Sequence, residues 1–219
     1  MTIAAEPRIV EATEEHIPFI AWVTLEAFRS HLPRGFWDFM FHDMDEAGKL
    51  RYLETLVATD QRHWSHYSTF LVAEVEGQPA SAMCGYFEAE LGESTLQLAS
   101  AEANEKTGRT QEQAAAGFER ARSIMGVIPD HVPGAWIVEN VATLPDFRRR
   151  GLSERLMGAI LERGRAGGAS TADISVFIGN DGAQRAYEKC GFEVVAEKLD
   201  AEFENVYKTP GIRTLRRSI

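Results

Sequence analysis

The sequence predicts a mixed α/β fold in which helices pack around a single central sheet. Three observations support this class. Strand-like segments alternate with helical periodicities in the order β-α-α-β-β-(insertion)-β-α-β-α-β-β, turn residues separate them, and the composition, 44% hydrophobic and 26% charged, is that of a folded globular chain. Because domains usually span about 150 residues, we expect the 219 residues to form one large domain, 1–219, that contains an insertion.

The first half of the chain is predicted to alternate strands with helices. Thr13 is a suitable N-cap, and the acidic residues that follow it suit the positive end of a helix dipole. Pro33 and Gly35 end that helix, because neither residue continues a helix well. The predicted elements here are a strand over 8–10, a helix over about 13–28, an interrupted helical region over 36–57, and a hairpin with strands 70–75 and 80–87 around the turn 76–79.

Residues 88–134 differ in composition from the rest of the chain. They are rich in Ala and Glu, poor in β-branched residues, and end in the breaker-rich sequence Ile-Pro-Asp-His-Val-Pro-Gly, so we expect a mostly helical insertion. The predicted elements after it are strands 136–144 and 172–178, helices 151–165 and 182–189, and two final strands, 192–196 and 212–215.

The charge and the cysteine content disfavour several classes of protein. A total of 23 Lys and Arg against 33 Asp and Glu gives a net charge of −10, which disfavours binding to nucleic acid or to an anionic membrane. Cys84 and Cys190 are too few for a disulfide framework and indicate a reducing cytoplasm. The N-terminal sequence MTIAAEPRIV does not have the pattern of a signal peptide, and no apolar run reaches the ~18 residues of a membrane span.

The segment 141–153 joins the end of a predicted strand to the start of a helix, and it is the most informative part of the sequence. Helix N-termini expose unpaired N–H groups at the positive end of the dipole and therefore bind phosphates. Gly151 lets a ligand approach the backbone, and the three arginines before it add positive charge to an acidic protein. On residue types alone, a solvated surface turn is an equally good interpretation.

This segment resembles the acetyl-CoA-binding motif of the GNAT superfamily of N-acetyltransferases. The family motif is Arg/Gln-x-x-Gly-x-Gly/Ala, and the chain has Arg148-x-x-Gly151-x-Ser153. Ser153 departs from the pattern, because the family prefers Gly or Ala there.

A second motif is similar to the helix that lies beside the cofactor in the same family. It is Asn180-x-x-Ala183-x-x-x-Tyr187-x-x-x-Gly191-Phe192, about 30 residues after the first motif, with a predicted strand between them. The two motifs in this order imply the fold of the family: a single, mostly antiparallel sheet with a splayed strand pair, flanked by helices, here with a helical insertion.

The resemblance also implies which residues contact acetyl-CoA. Backbone groups at the splayed strand end would pair with the pantetheine arm, backbone N–H groups of the loop and the first helical turn would hold the pyrophosphate, and Asn180 would contact the pantetheine. The implied cofactor-binding residues are Val141, Ala142, Thr143, Arg148, Arg149, Arg150, Gly151, Leu152, Ser153 and Asn180.

Two side chains are candidates for the chemistry. The resemblance places Tyr187 near the thioester sulfur, where a phenol O–H can protonate the departing thiolate. An amine acceptor is mostly protonated at neutral pH, so a base must accept its proton. Glu139 is the candidate base or substrate-orienting group, because it lies on the strand that leads to the cofactor loop, where other members of the family carry a Glu. The alternatives are a packed aromatic for Tyr187 and a solvated or salt-bridged strand residue for Glu139.

Metal-like and aromatic patterns elsewhere carry less weight. Residues 43–54 nearly match a calcium-binding loop, but Ala47 occupies a ligand position. His63-x-x-His66 has no further ligand beside it, so we expect no metal. The aromatic run 36–41 favours a helix core over an acceptor pocket.

The resemblance implies acetyl transfer from acetyl-CoA to an amine by direct attack in a ternary complex. Glu139 and the acidic stretch 197–204 favour a cationic acceptor, such as a polyamine or a lysine side chain. The main alternative is a non-catalytic acyl-CoA-binding or sensing module, and a nucleic-acid-associated protein is a further alternative that the net charge disfavours. The sequence identifies neither the acceptor nor the length of the acyl group, and it leaves a homodimer open.

Overall fold

A computed structural model describes residues 6–219, so the first five residues of the N-terminal segment discussed above lie outside the described part. Its strands form one sheet in the order β1-β2-β3-β4-β5-β7-β6, in which only the β4–β5 pair is parallel. The predicted mostly antiparallel sheet is therefore confirmed. The strands are β1 (Arg8–Glu11), β2 (Phe70–Val75), β3 (Gln78–Phe87), β4 (Trp136–Thr143), β5 (Thr171–Phe177), β6 (Glu193–Leu199) and β7 (Gly211–Ser218).

Helices cover both faces of this sheet. They are α1 (Ile17–Arg29), α2 (Phe36–Met40), α3 (Glu46–Leu56), α4 (Glu88–Leu91), α5 (Glu93–Thr107), α6 (Gln111–Ala121), α7 (Leu152–Ala166), α8 (Asp181–Lys189) and α9 (Ala201–Tyr207). Side chains of α7 and α8 pack on one face, the α7 face, whereas α1, α2 and α9 cover the opposite face, the α1 face. None of the helices within residues 6–219 combines the length and the apolar character needed to cross a membrane.

Close packing fixes α7 against β3 and β4. Trp136 of β4 lies between Gly85 of β3 and Gly164 of α7, where a Cβ atom would stand 2.6 Å and 2.5 Å from its indole ring, respectively. Both positions must therefore be glycine for the ring to fit. Leu152 in the first turn of α7 is buried in the same core, as are Leu156 and Ile160 further along, so the first turn of α7 is held beside the end of β4.

The last hairpin contains an element that the sequence interpretation omitted. The connection between β6 and β7 includes α9, and both strands are longer than predicted. Asp200 caps α9, because its carboxylate accepts a hydrogen bond from the Phe203 N–H at 2.7 Å. Phe203 and Tyr207 lie four residues apart and are buried on the α1 face. By contrast, residues 88–134 contain α4, α5 and α6, and their predicted helical character agrees with the structure. That they form an insertion stays a prediction.

Candidate functional site

Strand β4 separates from β5 in the middle of the sheet. The two strands pair only from Trp136 to Val138, opposite Ala172 to Ile174. Just beyond this point the β3–β4 register shifts, and Asn140 has a φ of +51°, a left-handed conformation that Asn tolerates better than most residues. The predicted splayed pair is present, and it starts at Glu139.

The bulge at Asn140 is held by its neighbours. The Asn140 side-chain amide donates to the Ser65 hydroxyl at 3.3 Å, and the Cys84 thiol donates to the Glu139 carbonyl at 3.3 Å. Beyond the bulge, the edge of β4 that faces β5 carries the backbone groups of Val141 and Thr143, which form no ladder with β5 in the described structure. An extended ligand could add to this edge as a further strand.

The loop between β4 and α7 presents backbone donors. Arg149 and Gly151 both have positive φ values, of 61° and 75°. In the described part of the chain, the N–H groups of residues 149–151 donate to no backbone carbonyl. The N–H groups of Leu152 and Ser153 open α7 and have no intrahelical acceptor. Five successive N–H groups are therefore available to an anion.

Two of the three arginines donate hydrogen bonds to backbone carbonyls in and beside this loop. The Arg148 Nε–H donates to the Thr143 carbonyl at 3.2 Å, and Arg150 donates to the Asp146 carbonyl at 2.8 Å while its guanidinium lies 4.9 Å from the centre of the Phe147 ring. All three arginines are exposed, so they add positive charge around the N–H groups.

Three hydroxyl groups connect the loop to the sheet. Ser81 donates to the Ala142 carbonyl at 3.0 Å, Ser81 and Thr143 are 2.7 Å apart, and Thr143 and Ser153 are 3.2 Å apart, measured between oxygens. Each hydroxyl has one hydrogen, so the only consistent direction is Ser153 to Thr143 to Ser81 to the carbonyl. The hydrogen of Ser153 is thus used within the protein.

Asn180 and Tyr187 lie at the start and near the end of α8. The Asn180 amide oxygen accepts from the Ala183 N–H at 3.1 Å and its NH₂ donates to the Ser30 hydroxyl at 2.8 Å, so this side chain caps α8 and anchors the end of α1. Tyr187 is buried on the α7 face, and burial raises the pKa of its phenol above the usual range. The phenol therefore keeps its proton at neutral pH.

Glu139 projects onto the α1 face. Burial raises the pKa of its carboxyl from 4.5 to about 7, although the nearby charge of His131 and the Tyr86 hydroxyl act in the opposite direction. A carboxyl with this pKa exchanges protons near neutral pH, as a general base must.

A buried ion network that sequence reasoning missed lies on the same face. The His131 Nδ1 is 3.2 Å from an Asp173 carboxylate oxygen, and the Arg216 guanidinium donates to both oxygens of Asp173 at 2.7 and 2.8 Å. The signal in the sequence was Asp173 itself, a charge in the middle of the apolar strand segment Thr-Ala-Asp-Ile-Ser-Val-Phe.

Most carboxylates of the acidic stretch 197–204 already have partners within the protein, which the sequence interpretation did not foresee. Glu197 pairs with Arg213 at 2.5 Å, Glu202 pairs with Arg122 at 2.9 Å, and Asp200 caps α9. These carboxylates are therefore weak support for a cationic ligand.

The patterns to which the sequence analysis gave less weight have structural explanations. Residues 46–54 lie in α3, whose N-cap is Asp45. His63 is buried and bonded to the Leu56 carbonyl at 2.9 Å. The run 36–41 forms α2 and its end, with Trp37 and Phe41 in the core. Among residues 6–219, no three His, Cys, Asp or Glu side chains are grouped as metal ligands.

Comparison with known proteins agrees with this geometry. A family model described as Acetyltransferase (GNAT) family matches residues 36–192. No curated protein matches the chain significantly in sequence.

Solved structures share the fold at low sequence identity. A crystal structure of an acetyltransferase has a TM-score of 0.70 and 21% identity, covering 97% of this chain and 99% of that one. An N-acetyltransferase from Staphylococcus aureus Mu50 has a TM-score of 0.68 and 20% identity, covering 96% and 100%. A Drosophila melanogaster polyamine N-acetyltransferase that forms N-acetylagmatine has a TM-score of 0.54 and 15% identity, covering 98% and 100%.

Proposed function

Because the chain belongs to the GNAT family of acetyltransferases, we propose that it transfers the acetyl group of acetyl-CoA to an amine by direct attack in a ternary complex. One observation carries this proposal: β4 separates from β5 at Glu139, and the edge exposed there runs from this half-buried carboxyl to the loop of free N–H groups at 149–153. Acetyl-CoA would supply the acyl group as a thioester.

The residues of the opened edge fit this cofactor. We assign the pantetheine arm to the backbone of Val141, Ala142 and Thr143 and the pyrophosphate to the N–H groups of 149–153, with the exposed arginines Arg148, Arg149 and Arg150 around it. Asn180 orders the start of α8 beside the pantetheine. Binding of the pyrophosphate by a rigid loop holds the thioester in a fixed orientation, which lowers the entropic barrier to attack.

We assign the two proton transfers to Glu139 and Tyr187. Glu139 takes the proton that the amine nitrogen loses on attack, and the phenol of Tyr187 gives its proton to the departing thiolate. A covalent acyl-enzyme is disfavoured, because burial raises the pKa of both thiols, Cys84 and Cys190, and leaves them protonated.

The acceptor that suits this site is a cationic amine. Glu139 and Glu88 both lie where they interact electrostatically with His131 on the α1 face, so the acceptor side has carboxylates beyond the paired acids of 197–204. The Drosophila neighbour, a polyamine N-acetyltransferase, is consistent with this class. We place the reaction in the cytoplasm, as the two free thiols suggest.

A thiol-release assay with acetyl-CoA tests the function. The panel contains a diamine, agmatine, a lysine peptide, glutamate and aspartate. We expect faster turnover with a cationic amine than with either acidic amino acid, and a fall of about 10² to 10⁴ in kcat for Glu139→Gln with that amine. Acetyl-CoA binding without turnover on any amine would instead favour the non-catalytic acyl-CoA-binding module.

A further inference from the structure

His131 is fixed on the acceptor side by a partner that determines its tautomer. Its side chain is 7% exposed, that of Asp173 is fully buried, and Nδ1 of the ring lies 3.2 Å from the Asp173 carboxylate. Arg216 donates two hydrogen bonds to the same carboxylate, and Arg216 and His131 together hold the pKa of Asp173 down to about 2. An ionised carboxylate can only accept, so Nδ1 carries the hydrogen and Nε2 carries the lone pair of the neutral ring.

The sheet places this ring and Glu139 on the same face. Asp173 of β5 is the direct partner of Ile137 of β4, so their side chains share the α1 face. Glu139 lies two residues beyond Ile137 on that face, about 7 Å along the strand. Nε2 of His131 makes no hydrogen bond to any atom of residues 6–219.

The charges around this pair favour proton exchange between its members. The groups that act on His131 are Asp173 from β5, Glu139 from β4 and Glu88 from α4, and those that act on Glu139 are His131, Tyr86 and Glu88. Asp130, next to His131 in the chain, is exposed and paired with Lys198 at 2.8 Å. The carboxylates raise the pKa of His131 above 6.5 while burial raises the pKa of Glu139 to about 7. Two titratable groups whose charges act on each other take up and lose protons as a coupled pair.

We infer that His131, oriented by Asp173, is the positioning residue through which Glu139 loses the proton it has taken from the acceptor. This inference rests on the proposed function, in which Glu139 is the base. The amine nitrogen gives its proton to the Glu139 carboxylate, the resulting carboxylic acid passes it through an intervening water to Nε2 of His131, and the imidazolium releases it to solvent. Glu139 is thereby returned to its ionised form, and no other reactant is needed.

Histidine NMR tests the coupling without turnover. The spectra of the wild type and His131→Asn assign the ring signals, and Glu139→Gln is titrated beside them. We expect the Nδ1–H tautomer for neutral His131 and a fall of its pKa by about one unit in Glu139→Gln, because a nearby carboxylate stabilises the imidazolium. An unchanged His131 pKa in that variant would overturn the inference.

Kinetics with an accepted amine supply the second test. We expect His131→Asn to lower kcat by about tenfold or more, with KM for the amine and Kd for acetyl-CoA within about threefold of the wild type. The acidic limb of the pH profile should move to higher pH, because loss of the imidazolium raises the pKa of Glu139. Asp130→Asn, a change in the same loop at an exposed carboxylate, is the matched control and should leave kcat and the profile unchanged.

The outcomes separate this inference from the proposed function. If His131→Asn keeps the kcat and the pH profile of the wild type, the positioning role is overturned. It is also overturned if kcat, amine binding and thermal stability all fall together, because that pattern is typical of a purely structural residue. If no amine is acetylated but the His131 pKa still responds to Glu139→Gln, the proposed function fails while the coupling stands.

Discussion

The two sides of strand β4 use different chemistry. Towards α7, residues 149–153 offer free backbone N–H groups, and exposed arginines surround them. On the α1 face, Glu139, His131 and Asp173 are titratable groups that influence one another. Under the proposed function, the difference means that acetyl-CoA binding should vary little with pH near neutrality, whereas activation of the acceptor should vary strongly.

The largest effect on acetyl-CoA binding is expected from Gly151→Asp, which changes only the loop side. At a φ of +75°, an L side chain is strained, and the added carboxylate would repel the pyrophosphate. We expect acetyl-CoA to lose at least about a hundredfold in affinity, so that the rise in melting temperature produced by a saturating ligand disappears.

The control for this variant is Gly151→Asn. Asn tolerates the left-handed conformation and carries no charge, so it should keep most of the shift. A full thermal shift in Gly151→Asp would mean that acetyl-CoA binds elsewhere.

Tyr187→Phe tests whether the proton for the thiolate comes from the α7 face. The substitution removes one O–H and leaves the packing of a buried ring nearly unchanged. General acids contribute about 10² to 10⁴ in rate, so kcat should fall by that factor while Kd for acetyl-CoA changes by less than about threefold. Stopped-flow thiol release and calorimetry measure the two quantities.

The matched control for Tyr187→Phe is Tyr207→Phe. Tyr207 is also buried, but it lies on the α1 face, where its hydroxyl donates to the Ala121 carbonyl at 3.1 Å. It should keep full turnover. If Tyr187→Phe keeps half of the wild-type rate, the acid is water or another group.

The contrast between the two sides of β4 also explains which parts of the site the sequence could predict. The α7 side depends on local chain conformation, so Gly151 after three arginines, and Asn180 before a short helix, were visible as motifs. The α1 side depends on pairing between distant segments. His131 lies between α6 and β4, Asp173 lies on β5 and Arg216 lies on β7, and only the sheet register brings them together. α9 was missed for a related reason: its burial depends on Phe177 and Ile124 from elsewhere in the chain.

The pH dependence of folding stability in Glu139→Gln tests whether Glu139 on the α1 face titrates near neutral pH. The folded protein raises the pKa of Glu139 from 4.5 to about 7, so the native state binds this proton more tightly than the unfolded chain does. The resulting stabilisation is fully present below pH 4.5 and is lost as the pH rises through about 7. Glutamine does not ionise and suffers no such loss.

Melting temperatures at pH 5 and pH 8 measure this effect. We expect Glu139→Gln to gain stability relative to the wild type as the pH rises, even though its kcat falls. A difference in melting temperature that stays constant between the two pH values would show that Glu139 has an ordinary pKa.

The smallest effect is expected from Ser153→Ala, which asks whether the departure from the family motif changes the loop side. The Ser153 hydrogen is already donated to Thr143 in the chain of hydroxyls that ends on the Ala142 carbonyl, so the backbone N–H of residue 153, which alanine keeps, is left to bind phosphate. Acetyl-CoA affinity should therefore change by less than about threefold. The variant should lose about 1 kcal/mol of unfolding free energy, the typical value of one hydrogen bond. Urea unfolding and calorimetry separate the two quantities. A tenfold loss of affinity at unchanged stability would mean that the hydroxyl turns from Thr143 to the phosphate when acetyl-CoA binds, and a side chain would then contribute to cofactor binding on the α7 side.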